Sequence, residues 1–411
     1  MKSLFLKSFS NIFYFFPLFL ISGPFLPDLF ISLSAIFFLL YLLIYKKINI
    51  LYNKYFLYLL LFYIYILIIS FFSDNILHSL QTSLPYIRHI LFVFFIIFLI
   101  NEKYLSMNRF LNVFLIIYTI VLFDGFYQYI FNINLLGFPK SSSGRLSSFL
   151  QEEYILGSYL IRLLPILLGL IILQNNIKHN YKNILIYVYI LLSGILILLS
   201  GERTALFLFC LFCILLLILF KIELKIKIIA FILCFTPIII ITFLNQSVKD
   251  RIISQTYQTI SSELEISSFV SSQYRYHFKS AIGMFNDNKI FGNGPKIYRI
   301  KCKDEKYYEN NFSCQTHPHN TYIQLLAETG IIGFSFVFFG FMYISLYLIK
   351  DFYFYHFNNT PILSNYNLMF VLTIFINLWP IVPTGNFFNN WISAIYFFPF
   401  IFFINYSLQN K

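Results

Sequence analysis

The chain is 411 residues long, 59% of them hydrophobic and only 11% charged, with a mean hydropathy of +0.75 and a formal net charge of +12. That composition excludes a soluble globular domain and requires membrane spans. Much of the basic excess flanks apolar runs, so it calls for no nucleic-acid partner.

Twelve apolar runs are long enough to cross a bilayer, at 8–22, 29–45, 55–72, 85–100, 109–131, 154–173, 183–200, 204–220, 228–244, 322–349, 362–379 and 390–406. Lys2 and Lys7 precede the first run as in a signal peptide, but a second run follows at once without a small-residue cleavage site, so the first is read as a span. With the N-terminus in the cytoplasm, the cytoplasmic segments, counted with Arg109 at the edge of its span, carry fourteen Lys and Arg, among them Lys46, Lys47, Lys54, Lys178, Lys182, Lys221, Lys225 and Lys227. The short outer loops carry only Lys140, Arg145 and Arg203. This asymmetry puts both termini in the cytoplasm. Segment 245–321 departs from it, with 77 residues and ten Lys and Arg. A loop of that length escapes the charge rule and forms a functional or separately folded unit. The chain thus divides into N-terminal spans (1–131), spans with outer arginine loops (132–244), the large outer loop (245–321) and C-terminal spans (322–411).

The remaining polar residues collect on the outer side in four places. In chain order these are "SSSGRLSSFLQEEYILGSYL" (141–160), "SGERTAL" (200–206), the long loop with "SQYRYHFKSAIGMF" (272–285) and "IFGNGPKIY" (290–298), and "WPIVPTGNFFNNW" (379–391). Arg203 taken alone is an interfacial arginine paired with Glu202 or reaching for headgroups, and Arg275 taken alone is the solvated face of an amphipathic helix. Together, Arg145, Arg203 and Arg275 can converge on an anion, because the guanidinium fork matches phosphate.

The long loop ends in "QTHPHNTYIQLLAETGIIG" (315–333). Thr321 with Gln324 is a capping-box pattern, Asn320 is the alternative cap, and Pro318 suits a helix start. His319 then sits at a helix N-terminus, whose field disfavours imidazolium and keeps a neutral base available. Thr321, Gln324 and Glu328 fall at helical spacing and give the tenth span one polar face, directed at the bundle interior or a wet cavity. Gly330 and Gly333 are read as sites of close helix approach.

Cys302, Cys314, His317 and His319 have the spacing of a zinc site. In an oxidising compartment a Cys302–Cys314 disulfide is favoured over that site and over free thiols. Cys210, Cys213 and Cys234 lie in spans and are read as packing residues. Nucleophile-elbow, phosphate-loop and metalloprotease motifs are absent from the sequence, as is an Asp-x-Asp pair. Transfer chemistry here is expected to use arginines, with no metal or cofactor.

Four stretches resemble the bacterial O-antigen ligase family. "HNTYIQLLAETGIIG" (319–333) is similar to its histidine signature, and "SGERTAL" to its Ser-x-x-Arg turn. "RLSSFLQEEYILGSYLIRLLP" (145–165) resembles its arginine loop, and "FGNGP" (291–295) its Gly-x-Gly-Pro turn. Their order and the twelve-span layout extend the resemblance over nearly the whole chain. Gln151-Glu152-Glu153 replaces an Asn-Pro-Asn-like stretch of many members, so Glu153 inherits no role.

The resemblance implies an all-α polytopic, glycosyltransferase-C-like fold in the bacterial inner membrane. It also implies a glycan donor on undecaprenyl diphosphate and metal-independent, inverting transfer at the periplasmic face. His319 would activate the acceptor hydroxyl, and Arg145, Arg203 and Arg275 would hold the diphosphate. Glu202, His317, Asn320, Gln324 and Glu328 would support them. The expected acceptor is lipid A–core, as in a ligase, with a second lipid-linked repeat unit, as in a polymerase, the alternative. A transporter is a third reading, in which Arg88, Asp124 and Arg162 mark a substrate path.

Overall fold

The computed structural model describes residues 2–151, 153–174, 178–254, 256–257 and 272–409. Glu152, in the stretch that departs from the family pattern, lies outside the described residues. The fold is all-α: among the described residues the only strand-like pairing is an isolated bridge between Ile133 and Pro139.

The helices are α1 (Lys2–Phe13), α2 (Phe16–Phe19), α3 (Phe25–Ile44), α4 (Lys54–Ser70), α5 (Ile76–Ser83), α6 (Ile87–Asn101), α7 (Met107–Phe131), α8 (Leu156–Leu173), α9 (His179–Leu199), α10 (Arg203–Leu219) and α11 (Leu224–Leu244). After these come α12 (Gln246–Lys249), α13 (Ser272–Asp287), α14 (Tyr298–Lys301), α15 (Thr321–Asn358), α16 (Asn365–Asn377) and α17 (Asn390–Gln409). Among the described residues, eight helical segments are long and apolar enough to span a membrane, and α4, α10 and α16 are shorter apolar helices. With α1 and α2 taken as one broken element, they fall on the twelve apolar runs. At 13 residues, α16 is about 20 Å long, short of the roughly 30 Å hydrocarbon core.

Helix α8 is the centre of the bundle, with 83% of its span buried, whereas α11 is only 17% buried and presents its apolar surface outward. Phenylalanines fill the N-terminal core. The Phe16 ring packs at a tilt against Phe398 and Phe92, with centroids 5.0 Å and 5.3 Å away, tying α2 to α17 and α6. On the face opposite the long loop, Lys221 pairs with buried Asp351 at 2.9 Å. The same carboxylate accepts from the amides of Ile362 and Leu363.

The charges assigned to a transport path have local partners instead. Arg88 pairs with Asp28 at 2.7 Å and bonds Asn390 at 3.1 Å. Asp124 accepts from Leu135 N at 2.7 Å and Ser148 Oγ at 2.5 Å, pinning loop 132–150 onto α7. Arg162 donates to Asn377 Oδ1 at 2.9 Å.

Helix α15 is broken rather than continuous. Gly330 has φ +62 and ψ −171, a conformation open essentially to glycine alone. The break frees backbone groups, and those on either side of Gly330 take partners outside the helix. The Ala327 and Glu328 carbonyls accept from Asn293 Nδ2 and Gly294 N, both at 2.8 Å. The Thr329 carbonyl accepts from Tyr65 OH at 2.6 Å, and the Ile331 amide donates to Lys289 O at 2.8 Å. Left unpaired, each buried group would cost about 1–3 kcal/mol. Gly330 therefore serves a helix break held by the 289–294 turn, which corrects its reading as a helix-packing glycine. Gly333 does admit a neighbour, Tyr65 of α4.

Around that break the long loop builds its own small core from Ala281, Met284, Ile297, Tyr298, Cys302, Tyr307 and Ala327. Cys302 and Cys314 are disulfide-bonded, with Cα atoms 5.1 Å apart. This is the pairing that the sequence favours for the two cysteines.

Candidate functional site

Local packing brings an arginine cluster together at the N-terminal ends of α8 and α10. Gly201 holds φ +71, and a Cβ there would lie 2.8 Å from Arg251 Cδ and 3.7 Å from Arg145 Cγ. Only a bare backbone lets both side chains converge at this point. Arg251 donates from Nε to Gly201 O at 2.7 Å. Arg145 donates to Tyr154 O at 2.6 Å and stacks 5.3 Å from the Tyr154 ring. Its Nε is buried without a partner. Arg203, the first residue of α10, is exposed.

Glu202 is buried, and its carboxylate is engaged by α8. It accepts from Gly157 N at 2.5 Å, Ser158 N at 3.2 Å and Ser158 Oγ at 2.8 Å. It thereby caps α8 from a neighbouring turn, where a carboxylate suits the positive helix end. Burial pushes its carboxyl pKa up, against the pull of Ser158, Gly157 and Arg145. The Arg251 guanidinium is pushed down by burial first, then by the charges of Arg145 and Arg203. Three neighbouring cations with one occupied carboxylate form a site short of an anion.

The histidine turn forms the other wall. Asn320 caps α15, accepting from Tyr322 N at 3.0 Å and Ile323 N at 3.1 Å. The Thr321–Gln324 capping box does not form, because Gln324 is engaged elsewhere. Its Oε1 accepts from Phe387 N at 2.9 Å, and its Nε2 donates to Glu328 at 2.9 Å. Glu328 also accepts from Tyr298 N at 3.2 Å, and Thr321 meets Thr384 Oγ1 at 2.9 Å. The polar face of α15 is thus buried and spent on two irregular segments, 289–298 and 378–389.

His317 and His319 lie with ring centroids 4.2 Å apart. His317 Nε2 is 3.1 Å from Thr384 O, and Nδ1 is 2.9 Å from Thr316 Oγ1. A carbonyl can only accept, so Nε2 carries the proton and Nδ1 accepts from the threonine, leaving the neutral ring without a free lone pair. His319 holds a left-handed backbone at φ +57, with its carbonyl accepting from Thr384 N at 2.9 Å. Its ring packs 5.2 Å from Tyr274 and 5.3 Å from His277. Among the described residues, its nitrogens have no hydrogen-bond partner. Both histidines are lowered to about 4, foremost by burial, with added positive charge from His319 and Arg299 on His317 and from His277 on His319. His319 is therefore neutral as expected, but burial is the cause and it precedes the cap residue.

A cavity of about 1690 Å³ joins the two walls. Arg145, Glu202, Arg203 and Arg251 line it on one side, and Thr316, His317, Asn320 and Arg299 on the other. Ile21, Phe149, Phe207, Ile252, Tyr322 and Trp391 give it an apolar floor. His317 is the ring on the cavity wall, with His319 packed against it. Arg275 is exposed on α13 and does not line the cavity among the described residues. Arg251, which the sequence reading passed over, does. Its only sequence signal is a basic residue soon after the end of α11.

Residues 188–338 match the family model described as O-antigen ligase. The match covers α10, Arg203, Arg251, the 289–298 turn, both histidines and the helix break, and it leaves Arg145 outside. No curated protein matches the chain.

Proposed function

We propose that this protein, a multi-pass member of the O-antigen ligase family, transfers a glycan from a polyprenyl diphosphate carrier to an acceptor hydroxyl of lipid A–core. The observation that supports the proposal is the juxtaposition, across one cavity, of three arginines that share a single buried carboxylate with His317, against whose ring the neutral His319 packs. The carrier fits undecaprenyl diphosphate, its diphosphate held by Arg145, Arg203 and Arg251 and its chain lying along the apolar floor.

In the reaction the acceptor oxygen attacks the anomeric carbon while its proton passes to His319. The anomeric C–O bond breaks, and its electron pair stays on the departing diphosphate, whose charge the guanidinium groups stabilise. Attack opposite the leaving group inverts the centre. His319 is the base in this reading because its nitrogens are free, while both nitrogens of His317 are engaged. Lys46, Lys47, Lys178, Lys182 and Lys221 lie at helix ends away from the cavity loops, which supports cytoplasmic termini and a periplasmic site in a bacterial inner membrane.

The test offers purified protein a labelled undecaprenyl-diphosphate glycan together with lipid A–core and an unlabelled lipid-linked repeat, beside a His319→Ala sample. Label on lipid A–core, lost in the variant, supports the ligase. Label on the second repeat makes the protein a polymerase. An intact, bound donor with neither acceptor labelled refutes transfer.

A further inference from the structure

The diphosphate cluster does not hold all the uncompensated positive charge of the cavity. Arg299 lines the wall beside His317, and its Nε is buried without a partner. Lys296, one turn earlier, lies behind the lining rather than in it, partly buried and held in the left-handed region at φ +58. Its ammonium is pushed down by burial first and then by the charge of Arg299, a mark of their proximity.

Neither side chain forms an ion pair among the described residues. The neighbouring carboxylates are engaged. Asp28 is taken by Arg88 at 2.7 Å, and Glu328 by Gln324 and the Tyr298 amide. Two adjacent, partly buried cations oppose folding when the nearby carboxylates, Glu328 and Asp28, act on them only at a distance and are engaged elsewhere, and a lysine in the left-handed region adds strain. Such an arrangement persists where a ligand supplies the missing charge. A fork of donors beside a point charge is the arrangement that suits a phosphate.

We propose that Arg299 and Lys296 form a second anion subsite, on the histidine side of the cavity, that binds a phosphate carried by the acceptor near its reactive hydroxyl. The inference rests on the transfer reaction above, since the neighbouring base makes this wall the acceptor's. The phosphate has two possible sources, a phosphorylated core sugar or the carrier diphosphate of a lipid-linked acceptor. In either case two separate cationic ends hold donor and acceptor with the base on one side only, which fixes the direction of transfer.

The test measures equilibrium binding without turnover, on full-length protein in detergent. Wild type, Arg299→Gln and Lys296→Gln are titrated with lipid A–core and with the same glycolipid after phosphatase treatment. An undecaprenyl-diphosphate-linked repeat is titrated in an Arg203→Gln background, so that the donor subsite contributes little. The expected result is a Kd raised at least tenfold by either substitution or by dephosphorylation, with no further loss when both are combined. That non-additivity on lipid A–core assigns the subsite to a core phosphate, and a tenfold loss on the lipid-linked probe assigns it to the carrier. An unchanged Kd for both probes, or losses that simply multiply, overturns the subsite. Normal transfer with unchanged binding would sink this inference alone. Phosphate-dependent binding without transfer would sink the reaction and leave the subsite standing.

Discussion

Gly292 and Gly330 meet backbone to backbone. A Cβ on Gly292 would stand 2.4 Å from the Gly330 amide nitrogen, and one on Gly330 would stand 2.6 Å from the Gly292 nitrogen. The contact inserts the loop turn into the break of α15 and fixes the helix segment that begins at the histidine turn. Gly330→Ala combines a side-chain clash with a backbone conformation closed to alanine, and should destabilise by about 2–4 kcal/mol. Thermal unfolding in detergent would register this as a clear drop in Tm. A Tm within a degree of wild type would mean that the break is not needed for stability.

The two histidines should separate in kinetics. His319→Ala removes the free nitrogens and should lower kcat by about 10²- to 10⁴-fold with donor binding retained. His317→Ala removes a ring that only orients the turn, and the loss should be smaller. The reverse order would transfer the base role to His317.

Acid should act on both activity and stability. The rings stay neutral until the pH approaches about 4, so kcat/KM should hold through pH 6.5, where an ordinary histidine would protonate. For stability, a folded-state pKa below the unfolded value means that the unfolded chain binds more protons at acid pH. Their contribution is complete above pH 6.5 and is lost as the pH falls through about 4. Melting curves of wild type and a His317→Gln, His319→Gln double variant should converge along that interval.

Arg251→Gln should raise the donor KM about 10- to 100-fold, as expected for one charge-assisted contact to phosphate. Arg203→Gln should have a similar effect. A donor titration in which Arg251→Gln matches wild type would remove Arg251 from the diphosphate site.

Reducing the Cys302–Cys314 bond should cost about 2–3 kcal/mol, the usual value for a loop of this length. Cys302 is buried in the small loop core, and Cys314 directly precedes the histidine turn. Transfer should therefore fall about tenfold as the turn loosens. Parallel melting and transfer assays with and without reductant test both effects.

The membrane spans were legible because runs of Phe, Ile and Leu announce themselves by length alone. The SGER turn and the histidine turn were legible because polar residues stand out in so apolar a chain. Other features depend on contacts that no local pattern records. Gln324 carries a capping-box signature, yet Phe387, 63 positions away, takes its oxygen. The polarity of Thr321, Gln324 and Glu328 was visible, but not that loop backbones would use all of it. Arg251 acquires its meaning only where Gly201 lets it pass. Arg275 has the sequence neighbourhood of a ligand, and the fold turns it outward.

The 13-residue α16 ends about 10 Å short of a full bilayer crossing. The irregular segment 378–389 that follows it carries cavity-lining residues from Pro380 to Asn389, so in the proposed orientation polar ground would descend below the headgroup plane on this side of the bundle. In the proposed reaction the carrier headgroup can sink to meet the arginines while its hydrocarbon remains in lipid. Lifting a polyprenyl tail into water would cost about 0.8 kcal/mol for every methylene exposed. A shortened helix makes that extraction unnecessary.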